Sequence, residues 1–168
     1  MKYLYKQFHQ FYTLAEMTIK NHPQWFAYKP AYGDSYGPVG IRYRIKGKLR
    51  LLDLGNGKVR DSIINNISRV GTDQDAASIK LLCDPNNQYS GGAENRKLHD
   101  LLFKYYKKSH DGTRIDADKL KDGQLYSAED MDGPSEVVIW KNFTKLLRQD
   151  NVTVKAPSGG SKKTRRKN

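Results

Sequence analysis

Glu136 is the carboxylate in this sequence best placed for chemistry. It opens the apolar run Glu136-Val137-Val138-Ile139-Trp140, directly after the loop Asp132-Gly133-Pro134-Ser135. An acid at a strand edge can project into a cleft while the β-branched residues behind it anchor the backbone. A carboxylate fixed in this way suits a reaction in which positive charge develops, because it needs no reorganisation as the charge forms. Glycosyl transfer through an oxocarbenium-like state is one such reaction. The competing reading is a solvated glutamate at a strand end. A second cluster, Trp25 to Gly37, sets five aromatics (Trp25, Phe26, Tyr28, Tyr32, Tyr36) around a glycine-containing loop. Aromatic faces so placed can sandwich a planar ring such as nicotinamide or a base. Core packing explains Trp25 and Phe26 well, and Tyr32 and Tyr36, each beside a glycine, less well.

Other chemistries fail on spacing. Gly55-Asn56-Gly57-Lys58 lacks the earlier glycine of a phosphate loop, and Val59 stands where Ser or Thr would hold magnesium. No G-x-G-x-x-G occurs, so Gly55 and Gly57 read as turn residues. The histidines His9, His22, His99 and His110 include no helical zinc pair. His99 reads as a surface histidine. Asp116 with Asp118, and Glu129 with Asp130, lack a calcium-loop pattern. No metal is expected. Cys83 is the single cysteine, so no intramolecular bridge can form, and an intracellular, reducing compartment is the default. Two residues before Pro85, it reads as a half-buried residue at a helix end.

The elements that must position these groups alternate along the chain. Tyr3 and Tyr5 suggest a short opening strand, and Phe8, Phe11, Tyr12, Ala15 and Ile19 then follow helical spacing up to His22-Pro23. Val39, Ile41, Tyr43 and Ile45 alternate with Gly40, Arg42 and Arg44, the clearest strand pattern in the chain. Leu49 to Leu54 reads as a second, more buried strand. Val59, Ile63, Ile67 and Val70 predict a helix capped near Asn56, and Thr72 caps a second from Asp73 to Leu82. Leu98, Leu101, Leu102, Tyr105 and Tyr106 stripe a third, from about Glu94 to Lys108. Residues 109–135 read as loop. Glu136–Trp140 reads as a buried strand, and Phe143, Leu146 and Leu147 as a closing helical turn. Helices in the middle and strands at both ends predict an α+β domain.

Composition bounds the rest. The chain has 168 residues, 37% hydrophobic and 11% aromatic, enough for one packed domain over 1–150. No apolar stretch is long enough to span a membrane, and Met1–Lys6 lacks the apolar core of a signal peptide. The formal charge is +12, from 30 basic and 18 acidic residues. Half of it lies in 151–168, which holds Lys155, Lys162, Lys163, Arg165, Arg166 and Lys167 and no acid. Ala156-Pro157-Ser158-Gly159-Gly160-Ser161 is linker chemistry, so 151–168 reads as a flexible, disordered basic tail. Lys162, Lys163, Arg165, Arg166 and Lys167 would meet nucleic acid or an acidic protein through charge alone. The plainer reading is a tail that aids solubility or nuclear import.

The order of these pieces resembles the ADP-ribosyltransferase-like family, the catalytic fold of toxins and poly-ADP-ribose polymerases. The likeness spans about residues 3–140. It rests on the Leu4-Tyr5-Lys6 strand, Trp25-Phe26-Ala27 with the spacer to Tyr36-Gly37, and Leu51-Leu52-Asp53-Leu54. The Lys108-Ser109-His110-Asp111-Gly112 turn and Ser135-Glu136-Val137-Val138-Ile139 complete it. The resemblance implies a split β-sheet core with peripheral helices and NAD as substrate, with a protein among its acceptors. Glu136 would hold a ribose hydroxyl and steady the oxocarbenium ion. Tyr36 would stack on nicotinamide, Phe26 would belong to the second motif's aromatic strand, and Tyr5 with Lys6 would contact the dinucleotide. Lys6 stands where the family places His or Arg, and Gln7 where it places glycine, so a divergent member, active or inactive, is implied. The Gly-then-basic tail is similar to the C-termini of large DNA virus proteins, which implies a viral protein in the virion or in the host nucleus or cytoplasm. The alternative is a non-catalytic viral structural or nucleic-acid-binding protein that uses its tail.

Overall fold

The computed structural model describes residues 1–8, 10–27, 39–84, 92–115 and 136–154. Tyr36, Lys162, Lys163, Arg165, Arg166 and Lys167 lie outside the described residues. Seven strands form one mixed sheet: β1 (Tyr3–Phe8), β2 (Gln24–Ala27), β3 (Val39–Ile45), β4 (Leu51–Asp53), β5 (Gly112–Ile115), β6 (Glu136–Ile139) and β7 (Leu147–Val154). Their order across the sheet is β4-β5-β6-β2-β1-β3-β7. Among the described residues five helices accompany them: α1 (Leu14–Lys20), α2 (Gly57–Val70), α3 (Asp73–Leu82), α4 (Gly92–Tyr106) and α5 (Phe143–Leu146). The architecture is mixed α+β.

Local chemistry sets the helix starts. Thr13 Oγ1 accepts from Glu16 N, Asn56 Oδ1 from Lys58 N, and Thr72 Oγ1 from Asp75 N. Each cap satisfies a backbone donor that the first turn leaves without an intrahelical partner. The cap at Thr13 corrects the expectation of a helix running from Phe8. Phe8 ends β1, Phe11 is partly exposed and Ile19 is 81% exposed, while Met17 is the residue that α1 buries. Helical spacing of apolar residues was present there, but the face it marks is not the buried one.

Among the described strands the β4–β5 pair is the parallel one, and α2, α3 and α4 lie in the crossover between its strands. β5 falls inside 109–135, expected to be loop. Four residues bounded by Asp111-Gly112 give too short a run for alternation to show. At Gly112 a β-carbon would collide with the carbonyl oxygen of Val138 on β6, so this strand begins where only glycine admits the close approach. The closing element is longer than the expected helical turn. After α5 the chain continues as β7, antiparallel to β3 from Ile45↔Leu147 to Val39↔Val154, with a bulge at Arg42/Tyr43. The boundary drawn at Asn151 therefore falls within β7.

Alternation divides the buried residues into two cores. Leu52, Ile115 and Val138 face α2, α3 and α4, meeting Ile63, Ile67, Ile79, Leu98 and Leu102. Leu4, Phe8, Phe26, Ile41, Tyr43, Val137 and Ile139 face the other way, onto Met17 of α1 and Phe143 of α5. Val39, Ile41, Tyr43 and Ile45 point to one face as their spacing predicts. β1 meets β3 along six registered pairs but meets β2 at one, Tyr5↔Ala27. Among the described residues no helix is long and apolar enough to cross a membrane.

Candidate active site

Three distant stretches converge at the middle of the sheet. Tyr5 on β1 pairs with Ala27 on β2, and Ala27 pairs with Glu136 on β6. Glu136 is also paired with Ile115 on β5. Its backbone is thus held from both sides at the first position of its strand. Because Val138 belongs to the helix-side core, alternation places Glu136 on that face, with Tyr5.

Glu136 is half-buried, and its Oε1 is closed off from solvent with no hydrogen-bond partner among the described residues. Burial pushes the carboxyl up to about 7, against the opposing pull of the Lys6 charge. Lys6 shows the mirror effect. Burial brings its ammonium down to about 8, and Glu136 acts against that shift. Desolvation is the larger cause for both groups, as expected where charges leave water without a close partner.

Lys6 lies on the other face of β1. Its Nζ donates to Trp25 O at 2.9 Å and sits 5.3 Å from the Phe26 ring centroid and 5.4 Å from that of Phe8. The bond exploits the weak β1–β2 joint, where the Trp25 carbonyl accepts from a side chain. Phe26 is 1% exposed and edge-on to Tyr43, so it packs in the core and offers no face to a ligand. Tyr5 and Glu136 therefore share one face, and Lys6 and Phe26 the other.

Trp25, which core packing was expected to explain, joins His99 and Trp140, two residues that sequence reading did not connect with Glu136. Trp25 pairs with Val138 in register, which sets its ring diagonally from Glu136 on the same face. Its ring meets His99 edge-on at 5.6 Å. His99 is fully buried, correcting its expected place on the surface. The polar neighbours Lys97 and Asp100 hide it in the sequence; its separation from Leu98 and Leu102 on the helix was the available signal. Trp140 Nε1 donates to His99 Nδ1 at 3.3 Å, so the imidazole proton lies on Nε2. Burial lowers this histidine to about 3, which keeps it neutral. Trp25 Nε1 and His99 Nε2, both donors, are buried with no partner among the described residues. One orphaned acceptor and two orphaned donors thus face the helix side of β2 and β6. Buried polar atoms left unpaired are costly and concentrate where a ligand or water completes them.

Cys83 is buried at the end of α3, and burial pushes its thiol up to about 12. A thiol so placed is inert. Among the described residues no three His, Cys, Asp or Glu side chains gather as a metal site requires. The chain matches no protein-family model, no curated protein and no solved structure.

Proposed function

We propose that this chain is an ADP-ribosyltransferase-like domain that cleaves the bond between nicotinamide and ribose in NAD and passes ADP-ribose to an acceptor. The observation that carries the reading is the Glu136 carboxylate, anchored between two strands with one oxygen shielded and unpartnered. In the reaction, nicotinamide leaves with the bonding electron pair and the anomeric carbon becomes oxocarbenium-like. The acceptor then forms the new bond at that carbon and gives up its proton. Ionised Glu136 would offset the developing charge and accept a hydrogen bond from a ribose hydroxyl. Tyr5, level with it on the same face, is the contact for the dinucleotide; Lys6 contributes its charge from the opposite face. The donors on Trp25 and His99 suit a carbonyl or hydroxyl oxygen of the same ligand. Nicotinamide release from NAD by the wild type and by Glu136→Gln tests this. Release that disappears in the variant supports the reading, and equal background rates end it.

A second reading, a nucleic-acid-binding protein, has one observation in its favour. Arg44 and Arg148 are directly paired across β3 and β7, exposed, with no acidic partner among the described residues. Like charges placed opposite each other destabilise a sheet, and an anionic partner would relieve that cost. Arg148 lies near the start of β7, the strand that precedes the basic tail in sequence.

A further inference from the structure

The helix-side core stops at β2. Its sheet residues come from β4, β5, β6 and, through Trp25, β2. Among the described residues none comes from β1, β3 or β7, so that core does not extend over the same face of these three strands. Register fixes what stands there: Tyr3 and Tyr5 on β1, Arg44 and Arg42 directly opposite them on β3, and Arg148 opposite Arg44 on β7. Leu4, Tyr43 and Leu147, which alternate with them, turn to the other face and pack into the core of α1 and α5. Arg44 and Arg148 are exposed, and Tyr3 and Tyr5 are half-buried.

The arginines on this face are not equivalent. Arg42 is committed: its Nε donates to Asp150 Oδ2 at 2.7 Å, and its guanidinium carbon lies 4.7 Å from the Tyr3 ring centroid, so it buttresses that ring. Arg44 and Arg148 stand side by side, and neither makes an ion pair or hydrogen bond among the described residues. Adjacent cations with no acid paired to either favour an anion. The aromatics say what the anion carries. Tyr3 and Tyr5 are two residues apart on one strand, about 6.8 Å along it. That is roughly twice the 3.4 Å rise of a stacked nucleic-acid strand. Rings so spaced take bases from an extended, unstacked strand, whereas a duplex keeps its bases stacked inside. Lys2, exposed and 5.4 Å from the Tyr3 centroid, is a side chain that an incoming base can displace. Bases on aromatic rings, with phosphates on cations of neighbouring strands, make a single-strand platform.

We infer that this face binds single-stranded nucleic acid, with bases stacked on Tyr3 and Tyr5 and phosphates held by Arg44 and Arg148. This rests on the nucleic-acid reading and not on the transferase reading. Fluorescence anisotropy across a range of salt tests it, with labelled oligothymidylate, its duplex with oligoadenylate, and heparin, a polyanion without bases. The full chain is compared as wild type, Tyr3→Leu and Arg148→Ser; Tyr5, assigned to the dinucleotide, stays unchanged. Tyr3→Leu should weaken the single strand about tenfold, about 1.4 kcal/mol. Its salt slope should not change, because no charge is lost, and its binding to duplex and heparin should match the wild type. Arg148→Ser should weaken the single strand and lower the slope by about 0.7. Relief of the Arg44–Arg148 repulsion keeps or raises its melting temperature, so the weaker binding is not a loss of fold. Full single-strand affinity in Tyr3→Leu, or an equal loss for duplex or heparin, overturns the inference. An unchanged slope in Arg148→Ser does so too. Binding that is unaltered in both variants but lost without residues 155–168 would leave the nucleic-acid reading to the tail and end this inference alone. No binding of either oligonucleotide form would end both.

Discussion

Tyr5 and Glu136 stand level in the sheet, each registered against the same residue, Ala27, from opposite sides. Residues 131 positions apart are thereby fixed two strands from each other on one face. At about 4.8 Å per strand their backbones are roughly 10 Å apart. That gap suits a substrate bridging the two side chains better than a direct bond between them.

Glu136→Gln should remove activity and raise stability together. The carboxyl's ordinary value of 4.5 is raised to about 7 by burial, so between these values the folded chain holds a proton that the unfolded chain has released. Stability from this group is complete below 4.5 and is lost as pH rises to 7. Above pH 7 the ionised acid costs the fold up to roughly 3 kcal/mol. Denaturant unfolding at pH 8 should show Glu136→Gln more stable than the wild type, and at pH 4 nearly equal to it. A variant less stable at both pH values would contradict the burial of this charge.

The pH profile of nicotinamide release should be bell-shaped and narrow. Ionised Glu136 is available above about 7 and cationic Lys6 below about 8. The two groups interact, so the limbs report the pair. Lys6→Met should abolish the alkaline limb. It should also move the acidic limb upward, because the Lys6 charge holds the Glu136 value down. An acidic limb that stays put or moves down would show that the two charges are not coupled.

His99 should make the fold acid-sensitive. Its ordinary value of 6.5 falls to about 3 on burial, so below pH 6.5 the unfolded chain takes up a proton that the folded chain refuses. Stability therefore declines as pH falls from 6.5 towards 3. His99→Leu should flatten that decline in unfolding curves, even if the variant is weaker at neutral pH through loss of the Trp140 bond. An unchanged slope would place the acid sensitivity elsewhere.

Gly112→Ala should cost about 3 kcal/mol or more, because the obstacle is the Val138 carbonyl, fixed in the sheet, and not a side chain that can turn away. Gly47→Ala meets no atom and carries only the cost of its positive φ, about 1 kcal/mol. Thermal melts of the two variants should rank them in that order.

Removing residues 155–168 should weaken binding to DNA and lower its salt dependence. The tail carries Lys155, Lys162, Lys163, Arg165, Arg166 and Lys167, and full engagement of these six would contribute about five to the slope of log affinity against log salt. Filter binding at several salt concentrations reads this directly. Equal slopes for the two chains would leave the tail no part in DNA contact.

Much of the scaffold was legible because it depends on local chemistry. Alternation from Val39 to Ile45 gave β3 and its faces, and Asn56 and Thr72 gave the starts of α2 and α3. β7 escaped because Leu147-Arg148-Gln149-Asp150-Asn151-Val152-Thr153-Val154 is a polar run whose strand state comes from pairing with β3. Such pairing is a tertiary effect that propensity does not carry. The same holds at the site. Glu136 could be singled out as an acid at the head of an apolar strand. The burial of Lys6 could not, since it depends on a loose β1–β2 joint. Nor could the group Trp25, His99 and Trp140, drawn from three separate elements.

The ladder between β3 and β7 also bears on how this protein is made. β1 and β3 leave the ribosome early, whereas β6 and β7, which cover the edges of β2 and β3, are among the later strands to emerge. Until then the nascent chain carries open strand edges beside apolar side chains, a state prone to association with its own kind. Cells short of chaperones should accumulate it as aggregate during synthesis, even where the finished protein is stable.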